Sequence, residues 1–322
     1  MTQMTYREAI WAAIGDEMRR DARVLVMGQD VELFFGNAEL RREFKGTRIR
    51  NTPISEAAFV GAGIGAALTG MRPIVELGCS TFLYSAMDQV VNQAAKNRYM
   101  FGGQASVPLV IRAPVLYSIA AAAHHSDRPW GLFAQAPGLK IIVPTTPFDV
   151  KGLLTAAFRD GNPVLCFEDC TLYSQRGEVP EGDYTVPIGV ADIKLKGTDV
   201  TVVALAASVH HSLLAARTLA EDGISVEVID VRTVVPLDRR TILESVAKTG
   251  RLVVVDPAPG MCSVAAEVVA IVAENVFEHL KGPAVRMTAP DIPVPFSQEL
   301  EPLLYPTAEG IVAAIRKQCA YR

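Results

Sequence analysis

Residues 51–70 read NTPISEAAFVGAGIGAALTG. One carboxylate, Glu56, stands at the head of a run in which nothing from Ala57 to Gly70 is charged. Two architectures can use such a stretch. GAGIGA, Gly61 to Ala66, satisfies G-x-G-x-x-A, the fingerprint of a dinucleotide-binding turn, and Glu76 lies where a ribose-binding acid could be. That reading needs a strand running directly into the first glycine. The preceding residues point elsewhere: Thr52 followed by Pro53 has the form of an N-cap with proline at the first helical position. We therefore expect a helix from near Pro53 that carries its glycines inside. Interior glycines cost roughly 1 kcal/mol each against alanine, which close packing against another backbone or a flat ligand would explain. Glu56 then falls in or next to the first turn, where the helix dipole favours a carboxylate. The apolar run behind it suggests a buried carboxylate, which needs a partner or a raised pKa. Such a group is suited to sharing a proton with a ring nitrogen.

Around this stretch, short β-rich runs alternate with longer helical ones. RVLVMG, PIVEL, VPLVIRAP, LKIIVP and PVLCFE read as strands. SAMDQVVNQAAKNRYM and PFDVKGLLTAAFRD read as helices between them. The alternation predicts an α/β fold, a mostly parallel sheet flanked by helices. RGEVPEGDYTVPIG, residues 176–189, is rich in Gly, Pro and acid and reads as a linker. Beyond it the alternation restarts, so we expect two domains, 1–178 and 191–322, joined by residues 179–190.

The 322 residues are half hydrophobic and 20% charged, which suits a globular chain with a large core. A formal net charge of −4 and the lack of any Lys/Arg cluster argue against a nucleic-acid partner. The N-terminal residues are interrupted by Arg7, Glu8, Asp16 and Glu17, unlike a signal peptide, and Thr5 and Glu8 have capping-box spacing. No apolar run reaches the roughly 18 residues of a membrane span. We expect a cytoplasmic protein with no membrane partner. Five irregularly spaced cysteines form no visible disulfide framework. CFEDC, Cys166 to Cys170, lacks the second pair that a zinc site needs, and buried thiols are expected there.

TPISEAAFVGAGIGAALTGMRPIVE resembles the β subunit of the thiamine-diphosphate-dependent decarboxylating component of 2-oxo acid dehydrogenase complexes, the pyruvate, branched-chain and acetoin type, which is transketolase-like. The resemblance continues through DQVVNQAAKNRYMFGGQASVPLVIR, HHSDRPWGLFAQAPGLKIIVP and GTDVTVVALAASVHHSLLAA, and on through VEVIDVRTVVPLD and TGRLVVVDPAP. It spans essentially the whole chain in order. It implies a transketolase-type pyrimidine-binding domain followed by a transketolase C-terminal domain. It also gives Glu56 a role: hydrogen bonding to N1′ of the cofactor's aminopyrimidine, so that the cofactor's own imino group can take the thiazolium proton. Phe82 matches the aromatic that stacks on that ring, and Ile54 matches a backbone contact to it. His125 matches an active-site histidine that assists proton and acyl transfer. His210 and His211 read as structural or interfacial. Leu109, Ala157, Asp160 and Asn162 match main-chain carbonyl positions that hold a potassium ion in such proteins.

The resemblance also implies partners. The usual Mg²⁺ and diphosphate motif, GDG followed by Asn, is absent, and RDGN at 159–162 is only a partial echo. The missing half of the site implies a separate α subunit carrying Mg²⁺, an α₂β₂ assembly with thiamine diphosphate shared across the interface, and a lipoyl acyltransferase core. Two stretches depart from the pattern. In APVLYSIAAAAHHSD, residues 113–127, Leu116, Tyr117 and Ile119 stand in place of glycines and His124 in place of glutamine. DVELFFGNAELRREF, residues 30–44, is shorter than usual. Both bear on the substrate. The expected activity is decarboxylation of a 2-oxo acid with acyl transfer to lipoamide. The alternatives are a paired ketolase or acyloin-forming enzyme, a non-catalytic assembly subunit, and an NAD-binding dehydrogenase.

Overall fold

The computed structural model describes residues 1–31 and 37–321. Five residues of the shortened stretch, 32–36, lie outside it. The chain divides into two units. The first comprises Met1–Tyr117, His124–Ser126 and Phe133–Ile188, and the second Ser118–Ala123, Asp127–Leu132 and Gly189–Arg322.

In the first unit, β1 (Thr2–Thr5), β2 (Val24–Gln29), β3 (Ile49–Thr52), β4 (Arg72–Glu76), β5 (Val110–Val115), β6 (Lys140–Ile142), β7 (Val164–Asp169) and β8 (Arg176–Val179) are the strands. Six of them run parallel in the order β6-β7-β5-β4-β2-β3. β7 is buried along its whole length, as a strand covered on both faces must be. β1 pairs with β8 antiparallel, Thr2 opposite Val179 and Thr5 opposite Arg176, so the first four residues of the expected linker are strand. The helix Tyr6–Arg20 begins with the capping box that Thr5 and Glu8 predict: Glu8 N donates to Thr5 Oγ1 at 3.1 Å and Thr5 N to Glu8 Oε2 at 2.7 Å. It packs on the helix Pro147–Arg159.

The glycine-bearing helix spans Glu56–Leu68, with Ser55 at its N-cap. This corrects the expected start at Pro53. Pairing with β2 in register, Gln29 opposite Thr52, holds Thr52 extended as the last residue of β3, and Pro53 falls in the connection. A strand does precede the glycine run, but Gly61 lies inside the helix and makes no strand-to-helix turn. A Cβ on Gly63 would stand 2.8 Å from Val75 Cγ2, so this glycine seats the helix on side chains of the sheet. Gly65 has nothing within 4 Å of a built Cβ. The expected helix after β4 is broken into a 3₁₀ helix Ser80–Ala86, a π-helical turn Gln89–Ala94 and an α-helix Ala95–Met100.

In the second unit, β9 (Asp192–Leu195), β10 (Val200–Ala204), β11 (Val226–Asp230), β12 (Thr233–Val235), β13 (Leu252–Pro259) and β14 (Val285–Ala289) follow. Five form a sheet in the order β14-β13-β10-β11-β9, parallel except at β9. The helices Ser208–Glu221 and Ala308–Cys319 bury Leu219, Ile311 and Ile315 against Val200, Val202 and Val253.

Candidate active site

Side chains alternate along a strand, so neighbouring residues face opposite sides of the sheet. Met27 and Val75, paired in register, face the glycine-bearing helix. Glu76, opposite Arg112 on β5, therefore faces the other side, where Arg112 lies over the Trp11 ring at 5.1 Å. On that side a cavity of about 410 Å³ opens beside the carboxyl ends of β2, β4 and β5. Phe82, His125, Glu76, Arg112, Trp11 and Leu116 are among its walls. A crevice at the carboxyl ends of parallel strands is where open α/β sheets bind ligands.

The cavity brings together two of the expected site residues. The rings of Phe82 and His125 meet edge to face, centroids 5.7 Å apart at 72°. His125 ends a 3₁₀ turn, Ala123–His125. Its carbonyl accepts from Cys79 Sγ at 3.0 Å, and that of His124 accepts from Thr81 Oγ1 at 2.6 Å. Positive φ angles occur at Ser118, Ala120 and Ala122 and not at Leu116, Tyr117 or Ile119. The left-handed backbone that suits glycine is thus kept nearby, one residue out of step with the bulky replacements.

Glu56 and Ile54 do not line this cavity. Glu56 stands at a rim: Phe59 and Val60, one turn on, are buried, while Ala57 and Ala58 are exposed. Its side chain is half-buried, not enclosed as its apolar surroundings led us to expect, because much of that run faces outward. Among the described residues its carboxylate has no hydrogen-bond or ion-pair partner. Ile54 is 74% exposed. Among the described residues two buried oxygens also lack partners: Gln29 Oε1 and Thr52 Oγ1, in register at the ends of β2 and β3.

Sequence reasoning missed the charged floor of the cavity. Arg112 Nε and Nη2 donate to the Glu168 carboxylate at 2.5 and 2.7 Å, and Nη1 reaches Glu76. Tyr173 donates to Glu168 Oε2 at 3.1 Å. Loss of water pushes the Glu76 carboxyl up to about 7; Arg112 opposes the rise and the Glu168 charge adds to it. Glu76 is thus tied to a guanidinium, not presented to a ribose. The available signal was a charge inside each of three apolar strands: Glu76 in PIVEL, Arg112 in VPLVIRAP and Glu168 in PVLCFE.

The carbonyl positions matched to a cation cluster where the helix Pro147–Arg159 ends. Leu109 O accepts from Val164 N at 2.9 Å, and Ala157 O from Asp160 N at 3.2 Å. Arg72 Nη1 donates to Phe158 O at 2.6 Å and Asp160 O at 3.3 Å, and Lys140 pairs with the Asp160 carboxylate. Asn162 N donates to Asp160 Oδ1 at 2.9 Å. In the second unit, His210 and His211 lie in the first turn of the helix Ser208–Glu221, and His211 Nδ1 meets Pro306 O at 2.9 Å.

Comparison with known proteins places this geometry in context. Residues 2–175 match the family model described as transketolase, pyrimidine binding domain, and residues 189–311 match transketolase, C-terminal domain. The acetoin:2,6-dichlorophenolindophenol oxidoreductase subunit beta of Bacillus subtilis (strain 168) is 46% identical over 322 residues, covering 95% of this chain and 94% of that one. The 2-oxoisovalerate dehydrogenase subunit beta of the same organism is 42% identical, covering 98% and 99%. The pyruvate dehydrogenase E1 component subunit beta of Rickettsia felis (strain ATCC VR-1525 / URRWXCal2) is 41% identical, covering 99% of each. Among solved structures, one titled split gene transketolase, inactive beta4 tetramer, superposes with a TM-score of 0.81 at 22% identity, covering 99% of both chains, a likeness of fold.

Proposed function

The chain belongs to the family of β subunits of the acetoin, pyruvate and branched-chain 2-oxo acid dehydrogenases, and from that premise we propose that it forms half of a thiamine-diphosphate enzyme that decarboxylates a 2-oxo acid and passes the acyl group to a lipoyl acceptor. Residues 1–178 and 191–322 act as its two domains, joined by 179–190. The observation that carries the proposal is the Glu56 carboxylate, which has no hydrogen-bond or ion-pair partner among the described residues, as Gln29 Oε1 and Thr52 Oγ1 at the paired ends of β2 and β3 have none there. An acid and two acceptors without partners among the described residues suit a planar heterocycle that offers a ring nitrogen and an amino group.

Thiamine diphosphate, when bound, supplies the ring that accepts the electron pair of the broken carbon–carbon bond. The chain's residues do the rest of its share. Glu56 holds a proton for the aminopyrimidine nitrogen. Phe82 offers a flat face to the ring and Ile54 a backbone contact. His125 stands ready to give or take a proton at the reacting end. Glu56 becomes enclosed only when a second surface covers the exposed alanines around it. A separate α subunit supplies that surface together with Mg²⁺, in an α₂β₂ cytoplasmic assembly served by a lipoyl acyltransferase core. A potassium ion on the carbonyls of Leu109, Ala157, Asp160 and Asn162 belongs to the same reading; the first two already accept one backbone hydrogen bond each and keep a free lone pair.

A second substrate reading rests on a separate observation. The 46% identical relative is named for acetoin, and Leu116, one of the replacements before His125, lines the cavity. Cleavage of a neutral acyloin uses the same residues without release of CO₂. The test is reconstitution with the candidate α subunit. Calorimetry should find tight thiamine diphosphate–Mg²⁺ binding in the pair and none in this chain alone. Turnover of pyruvate, branched-chain 2-oxo acids and acetoin should single out one substrate and fall at least about a hundredfold in Glu56→Ala. Full activity in that variant would refute the mechanism.

A further inference from the structure

The chain reaches His125 through an unfavourable stretch of backbone. Ser118, Ala120 and Ala122 have φ of 58°, 57° and 63°, a region that residues with a Cβ avoid. Such backbone persists only where its surroundings fix it. Glu301 accepts from Ser118 N and Ala120 N within this stretch, and at His124 and His125 the backbone is also held from a short segment just after β4. Thr81 Oγ1 donates to His124 O at 2.6 Å, Cys79 Sγ donates to His125 O at 3.0 Å, and Cys79 Sγ also lies 3.1 Å from Thr81 Oγ1. A hydroxyl has one hydrogen, which Thr81 spends on His124 O, so toward Cys79 it can only accept. The single S–H of Cys79 is then shared between His125 O and Thr81 Oγ1. Both side chains are buried, Cys79 at 1% and Thr81 at 8% exposure, so water cannot replace either bond freely. The next residue, Phe82, sets its ring edge to face against the imidazole of His125.

We propose that Cys79 and Thr81 are positioning residues for His125: they fix the backbone of the histidine turn from the segment that carries Phe82, so that the two rings keep one mutual geometry at the cavity wall. Thr81 carries the larger share, because a hydroxyl is a much stronger donor than a thiol. The inference rests on the reading of His125 as the active-site histidine.

The test uses the holoenzyme reconstituted with its α subunit. Thr81→Val removes the donor and keeps the shape; Thr81→Ser keeps the donor. Thr81→Val should lower kcat by about tenfold or more, since misplacing a catalytic group by an ångström costs that much or worse. It should leave KM and the calorimetric affinity for thiamine diphosphate within about twofold of wild type, and it should move the kcat–pH profile. Thr81→Ser should restore most of the loss. Cys79→Ala should show a smaller fall, reversed in Cys79→Ser. Wild-type kcat and an unchanged pH profile in Thr81→Val would overturn the inference, as would a Thr81→Ser enzyme no better than the valine one. His125→Ala separates the two levels: full activity there refutes the role of His125 itself, whereas lost activity there beside a normal Thr81→Val refutes only the tether.

Discussion

Glu76 faces a guanidinium, whereas Glu56 has no hydrogen-bond or ion-pair partner among the described residues, and the contrast fixes what each can do. Burial raises Glu76 from an ordinary 4.5 to about 7. A carboxyl whose folded pKa lies above its unfolded value contributes fully below the unfolded value. That contribution is lost as pH rises from about 4.5 to about 7, because over that range the folded state binds more protons. The stability of wild type relative to Glu76→Gln should therefore decline between pH 5 and pH 8, by on the order of 2 kcal/mol. Urea unfolding at the two pH values reads it, and a flat difference would mean that Arg112 keeps Glu76 ionised throughout. Family resemblance singled out Phe82 and His125, and the fold brings their rings together at one cavity wall. The half-exposure of Glu56 was not legible, because a helix sequence does not say which of its apolar flanks the rest of the chain will cover. Arg112 and Glu168 escaped notice because their pairing needs the spatial order of β4, β5 and β7.

The helix Glu56–Leu68 shows how one residue type serves two ends. Gly63 is pressed on Val75, so Gly63→Ala should destabilise the chain by about 1–3 kcal/mol through overpacking. Gly65 faces open space, so Gly65→Ala should stabilise the isolated chain by up to about 1 kcal/mol. If a partner backbone lies on that face, the same substitution should weaken assembly with the α subunit. Thermal melts and analytical ultracentrifugation separate the two effects. In the second unit, Glu301, 1% exposed, accepts from Ser118 N at 2.5 Å and Ala120 N at 2.8 Å. Glu301→Ala leaves two amides of a strained loop without their acceptor and should cost about 2–4 kcal/mol in denaturant unfolding. The capping box at Thr5 and most strands could be read from spacing and periodicity alone. The start at Glu56 could not, since Thr52-Pro53 is a sound cap locally and is overridden by pairing with β2.

Across the chain, the restart of the α/β alternation after the linker was legible, and the second sheet follows it. What the linear sequence hid is that residues 118–123 and 127–132, far ahead of that restart, group with the second unit. Contacts such as those of Glu301 with Ser118 are long-range and carry no local signature. The first unit also ends a helix in three successive exposed apolar residues, Tyr99 at 86%, Met100 at 71% and Phe101 at 52%. Exposed apolar surface of this kind marks an association face. Light scattering should show the isolated chain self-associating, and Tyr99→Lys with Phe101→Glu should suppress this. An unchanged, monomeric wild-type chain would remove the face from consideration.

The antiparallel pairing of β1 with β8 ties residues 2–5 to residues 176–179. On a ribosome β1 is synthesised well ahead of β8, the last strand of the unit. At roughly 5–20 residues per second, the opening strand waits on the order of 10–30 seconds for its mate. For that interval its unpaired edge is open to other nascent chains. The clasp makes the tail of the first unit the step that licenses its completion during synthesis, and truncation ahead of residue 176 should leave a product that chaperones retain.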